Sequence, residues 1–77
     1  EAIRLDPQFA IAYSNRGNAY DDLGQYGRAI EDFDEAIRLD PQFAIAYYGR
    51  GLAYAILGNS REAELDYAKA EALGYKP

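Results

Sequence analysis

The sequence predicts an all-α chain, a solenoid of antiparallel helix pairs with a 34-residue repeat. Three observations carry this. Glu1–Tyr13 reads EAIRLDPQFAIAY and Glu35–Tyr47 reads the same, so the pattern restarts 34 residues after residue 1. A fixed period of roughly 20–50 residues marks a stack of supersecondary units, each too small to bury its apolar face alone. Small and apolar residues inside each copy follow helical spacing, and glycines and Asp-Pro pairs punctuate both copies at matching places.

The elements follow in order. A helix stub occupies about residues 1–5 and ends before Asp6-Pro7, because the residue preceding a proline is pushed out of the α region. The next helix spans about 8–23, with Asp6 of N-cap type and Pro7 just inside, where a missing N–H has no helical partner to lose. On it Tyr13, Gly17, Tyr20 and Gly24 fall at i, i+4, i+7 and i+11, one face of a 3.6-residue period. Gly24 stops it, since a left-handed residue closes many helices and glycine adopts that conformation without a Cβ clash. Tyr26, Ala29, Ile30, Phe33, Ala36 and Ile37 make a second apolar face, predicting a helix over about 25–39. Asp40-Pro41 then opens a helix over about 42–57, closed by Gly58. Asn59 with Glu62 three places on reads as a capping box for a last helix over about 59–73.

The second copy keeps Arg50, Gly51, Ala53, Tyr54, Leu57, Gly58, Ala63, Asp66, Ala70 and Leu73 at the places of Arg16, Gly17, Ala19, Tyr20, Leu23, Gly24, Ala29, Asp32, Ala36 and Leu39. The chain is therefore expected to be one domain over 1–77. Residues 1–9 form the tail of a truncated repeat, 10–43 the first full repeat, and 44–77 a second that resembles a cap. In that second repeat Glu64 and Glu71 replace Ile30 and Ile37, and terminal repeats need a polar outer face. The chain opens on Glu1 in what reads as mid-helix, without an initiator methionine, so it is expected to be part of a longer protein.

Composition excludes several function classes. The chain of 77 residues carries a net charge of −5, which repels a phosphate backbone, so no nucleic-acid partner is expected. No apolar run approaches the roughly 20 residues needed to span a bilayer, so no membrane partner is expected. There is no histidine, cysteine, tryptophan or methionine. The usual general base near neutral pH and the commonest zinc ligands are missing. Ser14 and Ser60 have no base to activate them. The acidic stretch Glu31, Asp32, Asp34 and Glu35 lacks the glycine turn and alternating ligands of a calcium loop and reads as a solvated helix face, with Asp34 placed to pair with Arg38. The expected cofactor, metal and catalytic sets are empty.

Tyr13, Arg16-Gly17, Tyr20, Ala29, Phe33 and Pro41 in the first repeat, with Tyr47, Arg50-Gly51, Tyr54, Ala63 and Tyr67 in the second, resemble the tetratricopeptide repeat family along the whole chain. Glycines 17 and 51 and the alanines at 19, 29, 36, 53, 63 and 70 let helices approach, and the tyrosines and Phe33 fill the space beside them. Arg16 and Arg50 stand where the family usually has an apolar residue. A structural ion pair is the expected role, because an arginine stem packs while its head meets a carboxylate.

The resemblance implies a right-handed superhelix whose first helices line a concave groove for a peptide or partner helix. Carried onto this chain, the groove takes Ile11, Ser14, Asn15, Asn18, Asp21 and Asp22 from the first repeat and Ile45, Tyr48, Gly49, Leu52 and Ile56 from the second. The first half is polar, with amides suited to a peptide backbone and carboxylates suited to a basic residue. The second is apolar and aromatic. Some members bind a C-terminal carboxylate through groove lysines and an arginine; Ser14 and Gly49 stand where such a clamp needs other residues, so that function is not expected. The implied function is non-catalytic protein–protein interaction with a protein or peptide ligand. The alternative is homo-oligomer assembly through the N-terminal edge, where Ile3 and Leu5 would lack a covering helix.

Overall fold

The computed structural model describes residues 7–76. The expected stub, the Asp6 cap and the proposed edge residues Ile3 and Leu5 lie outside them. Four helices follow one another: α1 (Pro7–Asp22), α2 (Tyr26–Leu39), α3 (Ala44–Ile56) and α4 (Ser60–Ala72). The described residues hold no strand. Each helix packs on the next, and α1 also touches α3, whereas α2 and α4 do not meet. The first helices of the two pairs therefore lie side by side in one layer and the second helices form the other.

The turns inside each pair share one geometry. Gly24 has φ +76° and Gly58 φ +84°, where a Cβ would be strained. The Gln25 amide donates to the Tyr20 carbonyl at 2.9 Å and the Gly24 amide to Asp21 at 2.9 Å, the paired bonds that close a helix end through a left-handed glycine. Asn59 to Tyr54 and Gly58 to Ala55 repeat them. Gly74, φ +101°, ends α4 in the same way. A glycine stop needs only glycine at the right distance from a periodic face, which is why the sequence revealed it.

The helix starts differ from expectation. α3 begins at Ala44, later than expected. Asp40 instead ends α2, its amide reaching the Ala36 carbonyl at 2.9 Å. Its carboxylate accepts the Gln42 amide at 3.1 Å and its carbonyl accepts the Phe43 amide at 3.0 Å. The Asp-Pro pair thus builds a tight turn between repeats, into which the Tyr47 hydroxyl donates at the Pro41 carbonyl, 3.1 Å away. Asn59 flanks α4 at its N-cap but makes no side-chain capping bond, so the expected capping box is not formed.

The core is a thin seam between layers. Ala29, Phe33, Ala36 and Ala46 are buried together, with Tyr13, Tyr20, Ile37 and Phe43 packed around them. Phe33 is the largest side chain fully out of solvent. Its ring is wedged between α1 and α3. A Cβ built on Gly17 would lie 3.0 Å from the ring, and one on Gly49 only 2.6 Å. Gly51 stands in the same relation to Tyr67, at 2.7 Å.

Identical residues meet different surroundings in the two copies. Ala46 and Ala53 are fully buried, whereas Ala12 and Ala19, their counterparts, are exposed. On α3 this face packs against α2; on α1 it looks outward, as does Phe9 at 60% exposure. Ala19 therefore does not serve the close helix approach expected of it.

The glycine–ring contact makes a paired prediction. Gly49→Ala should destabilise the fold by about 1–2 kcal/mol, the cost of overpacking exceeding the helix-propensity gain. Gly27→Ala, in α2 with nothing within 4 Å of the new methyl, should stabilise it by about 0.5–1 kcal/mol. Urea denaturation of the two variants measures both signs.

Candidate functional site

The repeated arginines anchor the two helix pairs. Arg16 makes a two-pronged bond to Asp32, Nε to Oδ2 at 2.8 Å and Nη2 to Oδ1 at 2.7 Å, joining α1 to α2. Arg50 does the same to Asp66 at 2.8 Å for both prongs, joining α3 to α4. Its Nη1 also reaches Asp34 at 2.7 Å, tying α3 back to α2 of the preceding repeat. Each guanidinium lies over two tyrosines: Arg16 over Tyr13 at 5.4 Å and Tyr20 at 5.9 Å, Arg50 over Tyr47 at 5.7 Å and Tyr54 at 6.0 Å. Planar guanidinium suits both the forked carboxylate and the ring face, and lysine would satisfy neither so well. These bonds hold both arginines charged well above their ordinary range, Asp32 acting on Arg16, and Asp66 with Asp34 on Arg50.

The expected ion-pair role of Arg16 and Arg50 is what the geometry shows. In the acidic stretch Glu31 and Asp34 are exposed, as expected of a solvated face, but Asp32 departs from it. Asp32 is only 4% exposed, because its partner lies in the neighbouring helix. Asp34 pairs with Arg50 rather than Arg38, and Arg38 instead pairs with Glu35, lowering that carboxyl's pKa. Among the described residues no cluster of histidine, cysteine, aspartate or glutamate is arranged to hold a metal, and no helix is long and apolar enough to cross a membrane.

The residues expected to line the groove sort by exposure. On α1, Ile11, Asn15, Asn18 and Asp22 are exposed, and on α3 so are Ile45, Leu52 and Ile56. Tyr48 is half-buried. Ser14, 2% exposed, and Gly49 are buried, which corrects their expected surface position. Gly49 is taken up by the Phe33 ring, and the Ser14 hydroxyl has no hydrogen-bond partner among the described residues. Neither offers an atom to a ligand on this surface. Both sit on an inward face of small residues, Ala10, Ser14 and Gly17 on α1 and Ala46, Gly49 and Ala53 on α3.

Asp21 and Asp22 sit in the last turn of α1, which holds no basic residue. Negative charge there opposes the helix dipole. Burial, with help from Asp22, raises the Asp21 pKa, and its Oδ1 is buried without a partner among the described residues. Ala55 and Ile56 occupy these places in α3, so the fold itself does not require the acids.

Sequence reasoning missed a cavity. Tyr48 of α3, Tyr67, Ala68 and Glu71 of α4, and Tyr75 beyond it enclose an open space of about 540 Å³. Tyr48 packs on Tyr67 with ring centres 5.5 Å apart and on Tyr75 at 4.6 Å, both tilted. Tyr75 replaces the proline of the first repeat and folds back over the stack. Burial, then Tyr48 and Asp66, raise the Tyr67 pKa. The signal available in the sequence was the change of Ser14, Ile37 and Pro41 to Tyr48, Glu71 and Tyr75; only the fold brings the three together.

Two layers of paired helices with this repeat define a helical-repeat solenoid. The chain matches the TPR repeat over residues 17–58, and the tetratricopeptide repeat over 1–31 and 44–73. It belongs to the tetratricopeptide repeat family. Among solved structures it is similar to the first TPR of Spaghetti (RPAP3) bound to the HSP90 peptide SRMEEVD, with a TM-score of 0.91 and 32% identity. That match covers 95% of this chain, which spans 58% of the length of the solved one. Family and neighbour agree on the helical-repeat fold, and the neighbour is one that holds a peptide.

Removing Arg50 alone should be costly, because Asp66 stays buried without its partner. Arg50→Leu is expected to destabilise by about 2–4 kcal/mol, and adding Asp66→Ala should recover most of it, as apolar replacements of buried ion pairs often do. Thermal melts of the single and double variants decide this. Asp21→Ala should stabilise at neutral pH, on the order of 0.5 kcal/mol. Because the folded-state pKa of Asp21 is raised, ionising it opposes folding above that pKa. The advantage of the variant should therefore shrink as pH falls through the raised pKa and below the ordinary carboxylate value, which melts from neutral to acidic pH would follow.

Proposed function

We propose that this chain is a non-catalytic interaction module that holds an extended peptide or partner helix along the layer formed by α1 and α3. The observation that carries this is the chemistry of exposed positions on one shared backbone. Asn18 and Asp22 on α1 become Leu52 and Ile56 on α3, while the residues that build the helices around them stay the same. Exposed apolar side chains gathered on one helix face favour contact with a partner. The likeness to a domain that holds an HSP90 peptide supports a peptide as the ligand class. A catalytic role finds no support in a chain without histidine or cysteine.

The ligand we infer differs in charge from that acidic peptide. Arg16 and Arg50 already face carboxylates of the chain, Arg16 in a fork with Asp32 and Arg50 with Asp66 and Asp34, so their charge is largely matched. Of the polar residues exposed on α1, Gln8, Asn15 and Asn18 are amides, Asp22 is an acid, and Arg16 is paired with Asp32. A peptide with an apolar stretch over Ile45 and Leu52 and a basic residue toward Asp22 fits this surface, the asparagine amides serving its backbone.

Selection of a random peptide library on the immobilised chain tests this. Enriched sequences should carry apolar residues with arginine or lysine and be depleted in aspartate and glutamate. Tyr48→Ala with Leu52→Ala should weaken a selected peptide at least about tenfold, the loss of two apolar contacts, while helicity by circular dichroism is kept. Unchanged affinity in the double variant removes the assignment.

A further inference from the structure

The cavity beside α4 has walls of a particular chemistry. Three of its five lining residues are tyrosines, and Glu71 is the only charged one. No lysine or arginine lines it. Glu71 is exposed and makes no ion pair among the described residues. Its volume of about 540 Å³ falls within the range of small-ligand sites.

The equivalent place in the first repeat is closed. There Phe33 is buried by Gly49 of the following helix, and Ile37 packs on the same core. All five lining positions differ between the repeats: Ser14, Phe33, Asp34, Ile37 and Pro41 become Tyr48, Tyr67, Ala68, Glu71 and Tyr75. A solvated cap would need only polar residues here. Tyr75 packs against Tyr48 with ring centres 4.6 Å apart. Ring faces carry the negative end of the aromatic quadrupole and attract cations. A carboxylate at the rim adds Coulomb attraction, and the net charge of −5 favours the approach of a basic partner.

We propose that the cavity lined by Tyr48, Tyr67, Tyr75 and Glu71 binds the basic side chain, arginine or lysine, of a peptide partner. This rests on the reading of the chain as a peptide-binding module and extends its surface from the α1–α3 layer to the far side of α3. Tyr48 joins the two, one of its sides facing the cavity. The ligand's cation sits against the tyrosine faces with Glu71 as counter-charge, and the stem of the side chain runs along Ala68.

The test is a titration of the chain with N-acetyl-arginine methylamide, followed through the ring protons of the tyrosines by NMR. The uncharged control is N-acetyl-citrulline methylamide, which keeps the shape and loses the charge. The arginine probe should move the resonances of Tyr48, Tyr67 and Tyr75 with a Kd on the order of 10–100 mM, as one exposed cation–π contact and one surface ion pair would give. Citrulline should bind at least about threefold more weakly, and Glu71→Gln and Tyr75→Ala should each weaken arginine by about the same factor. Both variants lie outside the Phe33 core, and their helicity is checked by circular dichroism. Equal binding of arginine and citrulline, or arginine affinity unmoved by Glu71→Gln, overturns the proposal. So does a shift pattern centred on Asp21 and Asp22, which would place the cation on α1. If the library selects no peptide while the arginine probe still moves the three tyrosines, the groove reading fails and the cavity stands. If peptides are selected but Glu71→Gln leaves the probe unaffected, the cavity fails and the groove stands.

Discussion

One ring holds the two repeats together. Phe33 belongs to α2, yet its faces are bounded by the helices before and after it, and both meet it with glycine. The separation of α1 from α3 follows from this, because bare backbone on each side allows an approach that any side chain would prevent. The buried alanines at 29, 36 and 46 extend the same close contact. A core built of one phenylalanine and many alanines is thin. Its stability depends on fit rather than on apolar mass, and small domains have little surplus to lose.

The arginine clasps compensate for that thinness. Each fixes the spacing within a pair by a forked bond, and Arg50 adds a second bond that fixes the spacing between pairs. Hydrophobic contact alone tolerates sliding along a helix axis, whereas a planar guanidinium held by a carboxylate and two rings does not. The price of this geometry is that both guanidiniums already face carboxylates of the chain. The exposed residues expected of the groove are amides, an acid and apolar groups, which sets the kind of partner that face can attract.

Much of the fold was legible in the sequence because it rests on local signals. A glycine at the end of a periodic face, an offset of 34 residues and two apolar stripes per repeat are properties of neighbours in the chain, and helices obey them. The failures are non-local. Asp32 reads as one of four surface acids until α1 brings Arg16 to it. Gly49 reads as a gap on an open face until Phe33 fills it. Asp40-Pro41 reads as a helix opening, but the turn it makes with Gln42 and Phe43 delays the helix to Ala44. The candidate surface divides in the same way. Exposure of Ile11, Asn18, Ile45 and Leu52 follows from helical periodicity. The meeting of Tyr48, Glu71 and Tyr75 depends on how α4 ends and where the chain goes after Gly74.

The glycine at 49 also sets the two repeats apart. The first repeat has Asn15 at that place. A copy of residues 10–43 set after α2 would bring an asparagine against Phe33, where a Cβ at position 49 would stand 2.6 Å from the ring and force the ring or a helix to shift. Two segments that share their helix-building residues are thus not interchangeable bricks, because one missing side chain sets how closely α3 seats on the ring.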